Sequence, residues 1–295
     1  MKLDQIQIRD PFVLVHDGRY YLYGSTDPDI WRGPGIGFDV YESQDGLTEF
    51  APPVPAFRPP ASFWSHTNFW APEVYPHDGG FIMFATFQPD SGRRGTAVLR
   101  ADSPLGPFRP LSAGPVTPPA WESLDGTLFI DDALHPWMVF CHEWQQVGDG
   151  QICAMPLADD LHAAIGDPQL LFTASQAPWS APLPGRAPGS YVTDGPFMWR
   201  LTDGALACLW SSFDSAGNYC LGVATSETEH LFGPWRQAPT PLLVGDSGHG
   251  MIFHSLDHRL YLAVHSPNDT PNERAKFVGL AEVAGELVVT GEVIR

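Results

Sequence analysis

One pattern of short strands recurs five times along the 295 residues of the chain. Each unit begins with a small polar cluster, continues into an apolar strand, turns at Asp or Gly, and adds further apolar strands. Units of roughly 50–70 residues with about four short strands each are typical of propeller repeats. The units open with the segments RDPFVLVHDGRYYLYGST, APEVYPHDGGFIMFATF, LDGTLFIDDALHPWMVFCHEW, TDGPFMWRLTDGALACLWSSF and GHGMIFHSLDHRLYLAVHS.

The composition agrees with this pattern. The chain contains 30 prolines and 29 glycines, which favour tight turns between short strands over long helices. Two units also end in a similar segment, SPLGPF at 103–108 and HLFGPW at 230–235. The sequence therefore predicts an all-β fold, a five-bladed β-propeller with four-stranded blades, in which residues 1–295 form a single domain.

The first strand of each propeller blade lines the central channel, so the polar residues that open the five units are expected to be neighbours in space. These residues are Asp10, Glu73, Asp125, Asp194 and His249. One or two of them could serve as turn or strand caps. A cluster of four carboxylates and one histidine is electrostatically costly, and carboxylates with separated pKa values are what acid–base chemistry requires.

Charge and aromatic content indicate the kind of partner. The net charge is −18 and there is no basic cluster, which argues against nucleic-acid binding. Ten tryptophans beside carboxylates favour a cleft for sugars, whose C–H faces stack on aromatic rings and whose hydroxyls bind acids. We expect an oligosaccharide or polysaccharide partner.

The N-terminus has no apolar run of signal-peptide length, and no segment approaches the length needed to span a bilayer. As it stands, the chain is predicted to be cytoplasmic, or secreted or periplasmic if a signal peptide was removed, with no membrane partner. Its four cysteines form no CxxC pair, so we expect buried, reduced thiols and no zinc site.

Five short motifs carry a more specific resemblance, which extends over nearly the whole length of the chain. They are RDPF around Asp10, WAPEV at 70–74, LDGTLFID around Asp125, TDGPF at 193–197 and GHGMIF at 248–253. In this set the chain resembles glycoside hydrolase family 43. The resemblance implies that Asp10 is a general base, that Asp125 positions the general acid and tunes its pKa, and that Asp194 is that acid.

The same resemblance implies an inverting glycoside hydrolase acting on pentose-containing plant glycans, in the range of arabinan and xylan. In an inverting mechanism one carboxyl protonates the leaving oxygen while a carboxylate about 6.5–9.5 Å away activates water. The rival interpretation is a non-catalytic carbohydrate-binding propeller, and a third is a protein-interaction platform. The presence of both Asp10 and Asp125 favours the enzyme.

The chain departs from the family pattern at the acid. Asp194 stands where the family usually has Glu, and its side chain is one methylene shorter. We interpret Asp194 as the native acid of a subset that also carries the CHEW segment. Glu143 of CHEW could reach the leaving group instead, so two candidates for the proton donor stay open.

Further residues are candidates for binding. Trp70 is predicted to form a stacking wall and Glu73 and Glu143 to contact substrate, whereas core packing is an equal alternative for the aromatic residues Trp31, Trp64, Phe69 and Trp144. Arg274 resembles the arginine that the family uses for substrate hydroxyls, with a surface ion pair as the alternative. His249 resembles the axial histidine that commonly helps to hold a hydrated calcium ion; no organic cofactor is expected.

Overall fold

The computed structural model describes residues 1–295 and contains twenty β-strands. Blade 1 contains β1 (Arg9–His16), β2 (Arg19–Ser25), β3 (Phe38–Ser43) and β4 (Val54–Phe57). Blade 2 contains β5 (Ser65–His77), β6 (Gly80–Pro89), β7 (Gly95–Ala101) and β8 (Arg109–Pro110). Blade 3 contains β9 (Ser123–Ile130), β10 (Pro136–His142), β11 (Gln151–Pro156) and β12 (Gln169–Thr173).

The last two blades have the same build. Blade 4 contains β13 (Asp194–Arg200), β14 (Leu206–Phe213), β15 (Tyr219–Ser226) and β16 (Trp235–Gln237). Blade 5 contains β17 (Gly248–His254), β18 (Leu260–Ser266), β19 (Arg274–Val283) and β20 (Glu286–Ile294). The helices are the one-turn α1 (Trp144–Val147) and two 3₁₀ turns, Leu3–Gln5 and Ala174–Gln176. None of them has the length and hydropathy to cross a membrane.

Each blade is a four-stranded antiparallel sheet whose strands follow one another in chain order. The first strands of the blades, β1, β5, β9, β13 and β17, contact one another around the centre. This arrangement confirms the predicted all-β, five-bladed propeller with four-stranded blades.

The ring closes without a strand shared between the two ends of the chain, because blades 1 and 5 are each built from consecutive strands. The N-terminal segment makes the connection. Gln7 forms an isolated bridge with Arg274, and the N–H of Ile8 donates to the Glu273 carbonyl at 3.3 Å. The Arg274 guanidinium donates to the carbonyl of Asp4 at 2.9 Å. Arg274 therefore joins blade 5 to the segment that precedes blade 1.

The core lies between the faces of adjacent blades. Its largest cluster contains 45 buried residues, among them a group of phenylalanines between blades 1 and 2. Phe69 is fully buried in this group, and Trp64 packs on Phe63 and Phe87. Burying one such ring stabilises the fold by roughly 1.5–3 kcal/mol. The four cysteines are buried free thiols, as the sequence predicts.

Candidate active site

The first strand of every blade contains the same irregularity near its start. Two residues oppose a single residue of the second strand, which is a β-bulge, and the first of the two has a left-handed backbone conformation. These left-handed residues are Asp10 (φ 53°), Ala71 (φ 46°), Asp125 (φ 55°), Gly195 (φ 51°) and His249 (φ 51°). The bulge bends the strand and re-aims the side chains on either side of it.

In four blades the N–H of the left-handed residue donates to a side chain at the end of the preceding blade's second strand. Asp125 donates to Thr86 Oγ1 at 2.8 Å, and His249 donates to Ser211 Oγ at 2.8 Å. Ala71 donates to Ser25 Oγ at 2.9 Å, and Asp10 donates to His265 Nδ1 at 3.3 Å. Neighbouring blades are thus locked together at the site, which satisfies these buried N–H groups.

Asp10 is a buried carboxylate held by three neighbours. The Ser25 hydroxyl donates to its Oδ2 at 2.7 Å, His249 Nδ1 lies 3.1 Å from its Oδ1, and Arg9 Nε lies 3.5 Å from the same oxygen. Burial alone would raise the pKa of Asp10, but His249 and Arg9 outweigh it and lower the pKa. Asp10 is therefore ionised over the whole neutral range.

Asp125 is equally buried but is in a different electrostatic state. Its Oδ2 accepts a hydrogen bond from the Gly195 N–H at 3.0 Å and lies 3.8 Å from His249 Nδ1. Burial raises the pKa of Asp125 to about 7; His249 opposes this rise, while the charges of Asp194 and Asp10 add to it.

Asp194 precedes the left-handed Gly195 in blade 4. Its Oδ2 accepts a hydrogen bond from the Tyr219 hydroxyl at 3.1 Å. Burial raises the pKa of Asp194, although His249, Arg9 and the Tyr219 hydrogen bond lower it in part. The site therefore combines one carboxyl with a lowered pKa and two with raised pKa values, as a general acid–base pair needs.

His249 is the cation at the centre of these acids. Burial lowers the pKa of its ring, but Asp10 and Asp125 raise it to about 9, so the imidazole is protonated at neutral pH. No group of three or more His, Cys, Asp or Glu side chains is arranged to hold a metal ion. The residues present therefore do not form a direct coordination shell. The calcium ion stays a prediction, and a cation here would have to be held by water molecules.

Six of the predicted residues line one pocket of about 570 Å³. They are Asp10, Trp70, Asp125, Glu143, Asp194 and His249. Trp31 and Trp144 line it as well. This volume is ordinary for a small-ligand site, whose specificity comes from a few placed polar groups among apolar ones.

Glu73 does not line this pocket. It lies two residues after the left-handed Ala71, beyond the bulge, and its carboxylate accepts a hydrogen bond from the Tyr75 hydroxyl. Burial raises the pKa of Glu73 to about 7. The prediction of a substrate contact is therefore corrected: Glu73 is a buried group outside the pocket.

Arg274 does not line the pocket either. Its guanidinium donates to the carbonyls of Asp4, Pro271 and Glu273, at 2.9, 3.1 and 2.7 Å. The predicted role in binding substrate hydroxyls is corrected to the ring closure described above, and the predicted alternative, an ion pair, is not formed either.

Glu143 lines the pocket and contacts a cation. Arg94 donates to Glu143 Oε2 at 3.1 Å, and its guanidinium lies 4.9 Å from the centroid of the Trp70 ring. Burial raises the pKa of Glu143 to about 8, against the opposing effect of Arg94. Trp70 is 7% exposed, and its indole N–H donates to the Ile30 carbonyl at 2.7 Å.

The sequence did not reveal the arginines of the pocket. Arg9, Arg94 and Arg186 all line the pocket. Arg9 stands inside the RDPF motif, directly before Asp10, so its position was a usable signal. Arg94 and Arg186 lie in loops whose approach to the pocket depends on the folded arrangement of the blades.

The family described as glycosyl hydrolases family 43 matches residues 5–280. An extracellular exo-α-(1→5)-L-arabinofuranosidase, ArbA of Cellvibrio japonicus, is 25% identical over 251 residues, which cover 78% of this chain and 67% of ArbA.

Solved structures give the same picture. An endo-arabinase from Bacteroides thetaiotaomicron superposes with a TM-score of 0.88 at 39% identity, covering 97% of this chain and 98% of its own. A thermostable family-43 glycoside hydrolase superposes with a TM-score of 0.82 at 26% identity, covering 100% of this chain and 97% of its own.

Proposed function

The chain belongs to glycosyl hydrolases family 43 and is a glycoside hydrolase, and from this membership we propose that it cleaves pentose-containing plant glycans with inversion of configuration. Arabinan is the first candidate substrate. The names of two relatives support the substrate class: one is an arabinofuranosidase and the other an endo-arabinase. Xylan-type substrates are the second choice.

One observation carries the proposed chemistry. Two carboxyls, the buried Asp10 and the half-buried Asp194, line the same pocket with pKa values shifted in opposite directions, down for Asp10 and up for Asp194. Asp10 is the general base that takes a proton from the attacking water. Asp194 is the general acid that gives a proton to the departing glycosidic oxygen.

Asp125 is a positioning residue in this scheme. Its carboxylate binds the N–H of Gly195, the residue directly after Asp194, and so fixes the peptide unit that carries the acid. Its charge and that of Asp194 disfavour each other's ionisation, which helps to keep a proton on the pair.

Glu143 is the other candidate for the proton donor, because it lines the pocket with a pKa raised to about 8. Its contact with Arg94 favours a different role. Burial leaves the pKa of Glu143 raised, but its carboxyl is held by the Arg94 guanidinium. Asp194 makes no such ion pair, and it directly precedes the peptide unit that Asp125 holds. We therefore assign the donor role to Asp194.

The substrate and the stereochemistry can be tested together. The protein is incubated with aryl α-L-arabinofuranoside, β-D-xyloside and β-D-galactoside, and with linear arabinan and xylan. Proton NMR of the first product formed then shows which anomer is released. Release of the inverted sugar from an arabinoside supports the proposal, whereas a retained anomer contradicts the inverting mechanism. A protein inert on every substrate supports the carbohydrate-binding alternative.

A further inference from the structure

Trp31 is unusual among the tryptophans of this pocket. Half of its side chain is exposed, whereas Trp70 beside it is 7% exposed. The segment that carries Trp31 connects β2 to β3 in blade 1 and reaches the loop of blade 5 that contains Thr270. An exposed aromatic ring at the edge of a sugar-cleaving pocket is placed to stack on a substrate.

The ring of Trp31 is held in place from several sides. Its indole N–H donates to Thr270 Oγ1 at 3.0 Å, and its edge meets Trp70 at a centroid distance of 5.2 Å. The Arg9 guanidinium lies over one face, 5.1 Å from the centroid. Its main-chain N–H donates to Asp29 Oδ1 at 3.1 Å. A ring fixed in this way loses little conformational freedom when a ligand binds.

Trp31 separates the active pocket from a second hollow of about 370 Å³. The hollow is lined by Pro28, Asp29, Trp31, Arg32, Thr270 and Pro271. It shares Trp31 and Thr270 with the active pocket, so the two cavities are adjacent. A glycan substrate that extends out of the active pocket past Trp31 therefore enters this hollow.

The polar groups of the second hollow are free to bind. Asp29 uses Oδ1 to accept the N–H groups of Trp31 and Arg32, and its Oδ2 makes no hydrogen bond within the chain. The guanidinium of Arg32 likewise makes none. One aromatic plane with a carboxylate oxygen and a guanidinium beside it matches a sugar ring with its hydroxyls.

We propose that the second hollow is a further sugar-binding subsite, in which Trp31 stacks on a residue of the substrate beyond those at the scissile bond and Asp29 and Arg32 bind its hydroxyls. The proposal rests on the proposed function and adds to it a preference for substrate length. The enzyme cleaves oligosaccharides that reach the hollow faster than those that end inside the active pocket.

The experiment measures kcat/KM on α-1,5-linked arabino-oligosaccharides from the di- to the hexasaccharide. In the wild type, kcat/KM rises at the length that first reaches the hollow. In Trp31→Ala the ratio of kcat/KM between long and short substrates falls by about 3- to 10-fold, as expected for the loss of one aromatic stacking contact. Trp31 also touches Trp70 and Arg9, so its removal could lower activity on every substrate. Such a general loss affects long and short substrates equally and therefore does not change the ratio of their kcat/KM values.

Two further variants make the result specific. Arg32 lines the second hollow and not the active pocket, so Arg32→Ala lowers the same ratio without altering the wall at Trp70. Phe232→Ala is the control, since Phe232 is also an exposed ring, at 43%, and lines neither cavity. We expect the ratio of kcat/KM between long and short substrates in Phe232→Ala to equal that of the wild type.

The possible failures are distinguishable. Hydrolysis of the oligosaccharides with no dependence on length overturns the subsite alone, as does an unchanged ratio in both Trp31→Ala and Arg32→Ala. Failure of the wild type to hydrolyse any arabino- or xylo-oligosaccharide overturns the proposed function, and the subsite with it.

Discussion

The N–H of Gly195 donates its hydrogen bond to the carboxylate of Asp125, 3.0 Å away in the neighbouring blade. The equivalent N–H groups in the other four blades donate to a side chain at the end of the preceding blade's second strand. In blade 3 that end is occupied by Cys141, a weak acceptor. Because the Gly195 N–H donates to Asp125 and not to Cys141, a hydrogen bond links Asp125 to the peptide unit that follows Asp194.

The first prediction concerns this tie. Asp125→Ala removes the acceptor of the Gly195 N–H, so Asp194 loses its fixed position and kcat falls by about 10²-fold, the cost of a small misplacement of a catalytic group. Asp125→Asn keeps an oxygen for the hydrogen bond and loses only the charge, so its kcat is reduced less. Steady-state kinetics on an aryl arabinofuranoside check both values. Equal losses in the two variants would show that the charge matters and the tie does not.

The second prediction identifies the proton donor. Asp194→Ala lowers kcat by roughly 10²–10⁴-fold on substrates with poor leaving groups, because these need protonation to depart. Activated aryl glycosides, whose leaving groups depart unprotonated, are partly spared. A series of aryl glycosides of graded leaving-group pKa measures the difference. The comparison variant is Glu143→Gln, which preserves shape; a leaving-group dependence in that variant, absent from Asp194→Ala, would transfer the role to Glu143.

The third prediction concerns the base. Asp10→Ala lowers kcat by roughly 10²–10⁴-fold on good and poor leaving groups alike, since the attacking water has no group to take its proton. Azide needs no base to attack, so added azide restores turnover and yields a glycosyl azide, which NMR identifies. Substantial activity of Asp10→Ala without azide would exclude Asp10 as the base.

The fourth prediction is a pH profile with defined limbs. The base acts when ionised, and the lowered pKa of Asp10 places the acidic limb of kcat/KM below the usual range of an aspartate. The acid acts when protonated, so kcat/KM falls as pH rises through the raised pKa of Asp194, which titrates together with Asp125.

Tyr219 offers a way to move the alkaline limb. Its hydroxyl stabilises the charged form of Asp194 and so lowers the pKa of that carboxyl. In Tyr219→Phe the alkaline limb of kcat/KM therefore shifts to higher pH, while the acidic limb stays in place. Tyr261→Phe, which removes a hydroxyl bonded to Glu292, is the matched control and leaves both limbs unmoved. A shift to lower pH in Tyr219→Phe would contradict the assignment.

The fifth prediction concerns calcium. If a hydrated ion lies on the axis near His249, protein prepared without chelator contains about one calcium per chain, since only one such axis exists. Elemental analysis measures this content. Treatment with chelator then lowers activity and added calcium restores it. Protein that contains no calcium and is insensitive to chelator would remove the ion from the site.

The fold could be predicted from the sequence because the repeat is visible in local sequence patterns. Strand periodicity, turn residues and the polar unit starts recur in each blade, and each blade is built from consecutive strands. The same local patterns located Asp10, Asp125 and His249, which open their units in the sequence. In the structure each of the three is the left-handed residue of its bulge.

The register within each unit could not be read from the polar pattern alone. Asp194 precedes its bulge residue by one position and remains in the pocket, whereas Glu73 follows Ala71 by two and does not line it. One position changes which face of a strand a side chain occupies, and a bulge shifts that alternation without a sequence marker. Arg274 was misjudged because its partners, the carbonyls of the N-terminal segment, are set by ring closure.

The same bulge recurs in every blade, whichever residue occupies it. Blade 2 already holds Ala71 at φ 46° in the place that blades 1, 3 and 5 give to Asp10, Asp125 and His249. Asn and Asp tolerate this conformation better than alanine does, so Ala71→Asp or Ala71→Asn requires no new fold of the main chain. Blades 1, 2, 3 and 5 thus accept a side chain at this repeated backbone position, whereas Gly195 of blade 4 does not, because a Cβ there would lie 2.7 Å from His249 Cγ. New reactivity can evolve or be engineered by replacing one residue in one of these four blades while the other blades keep the backbone unchanged.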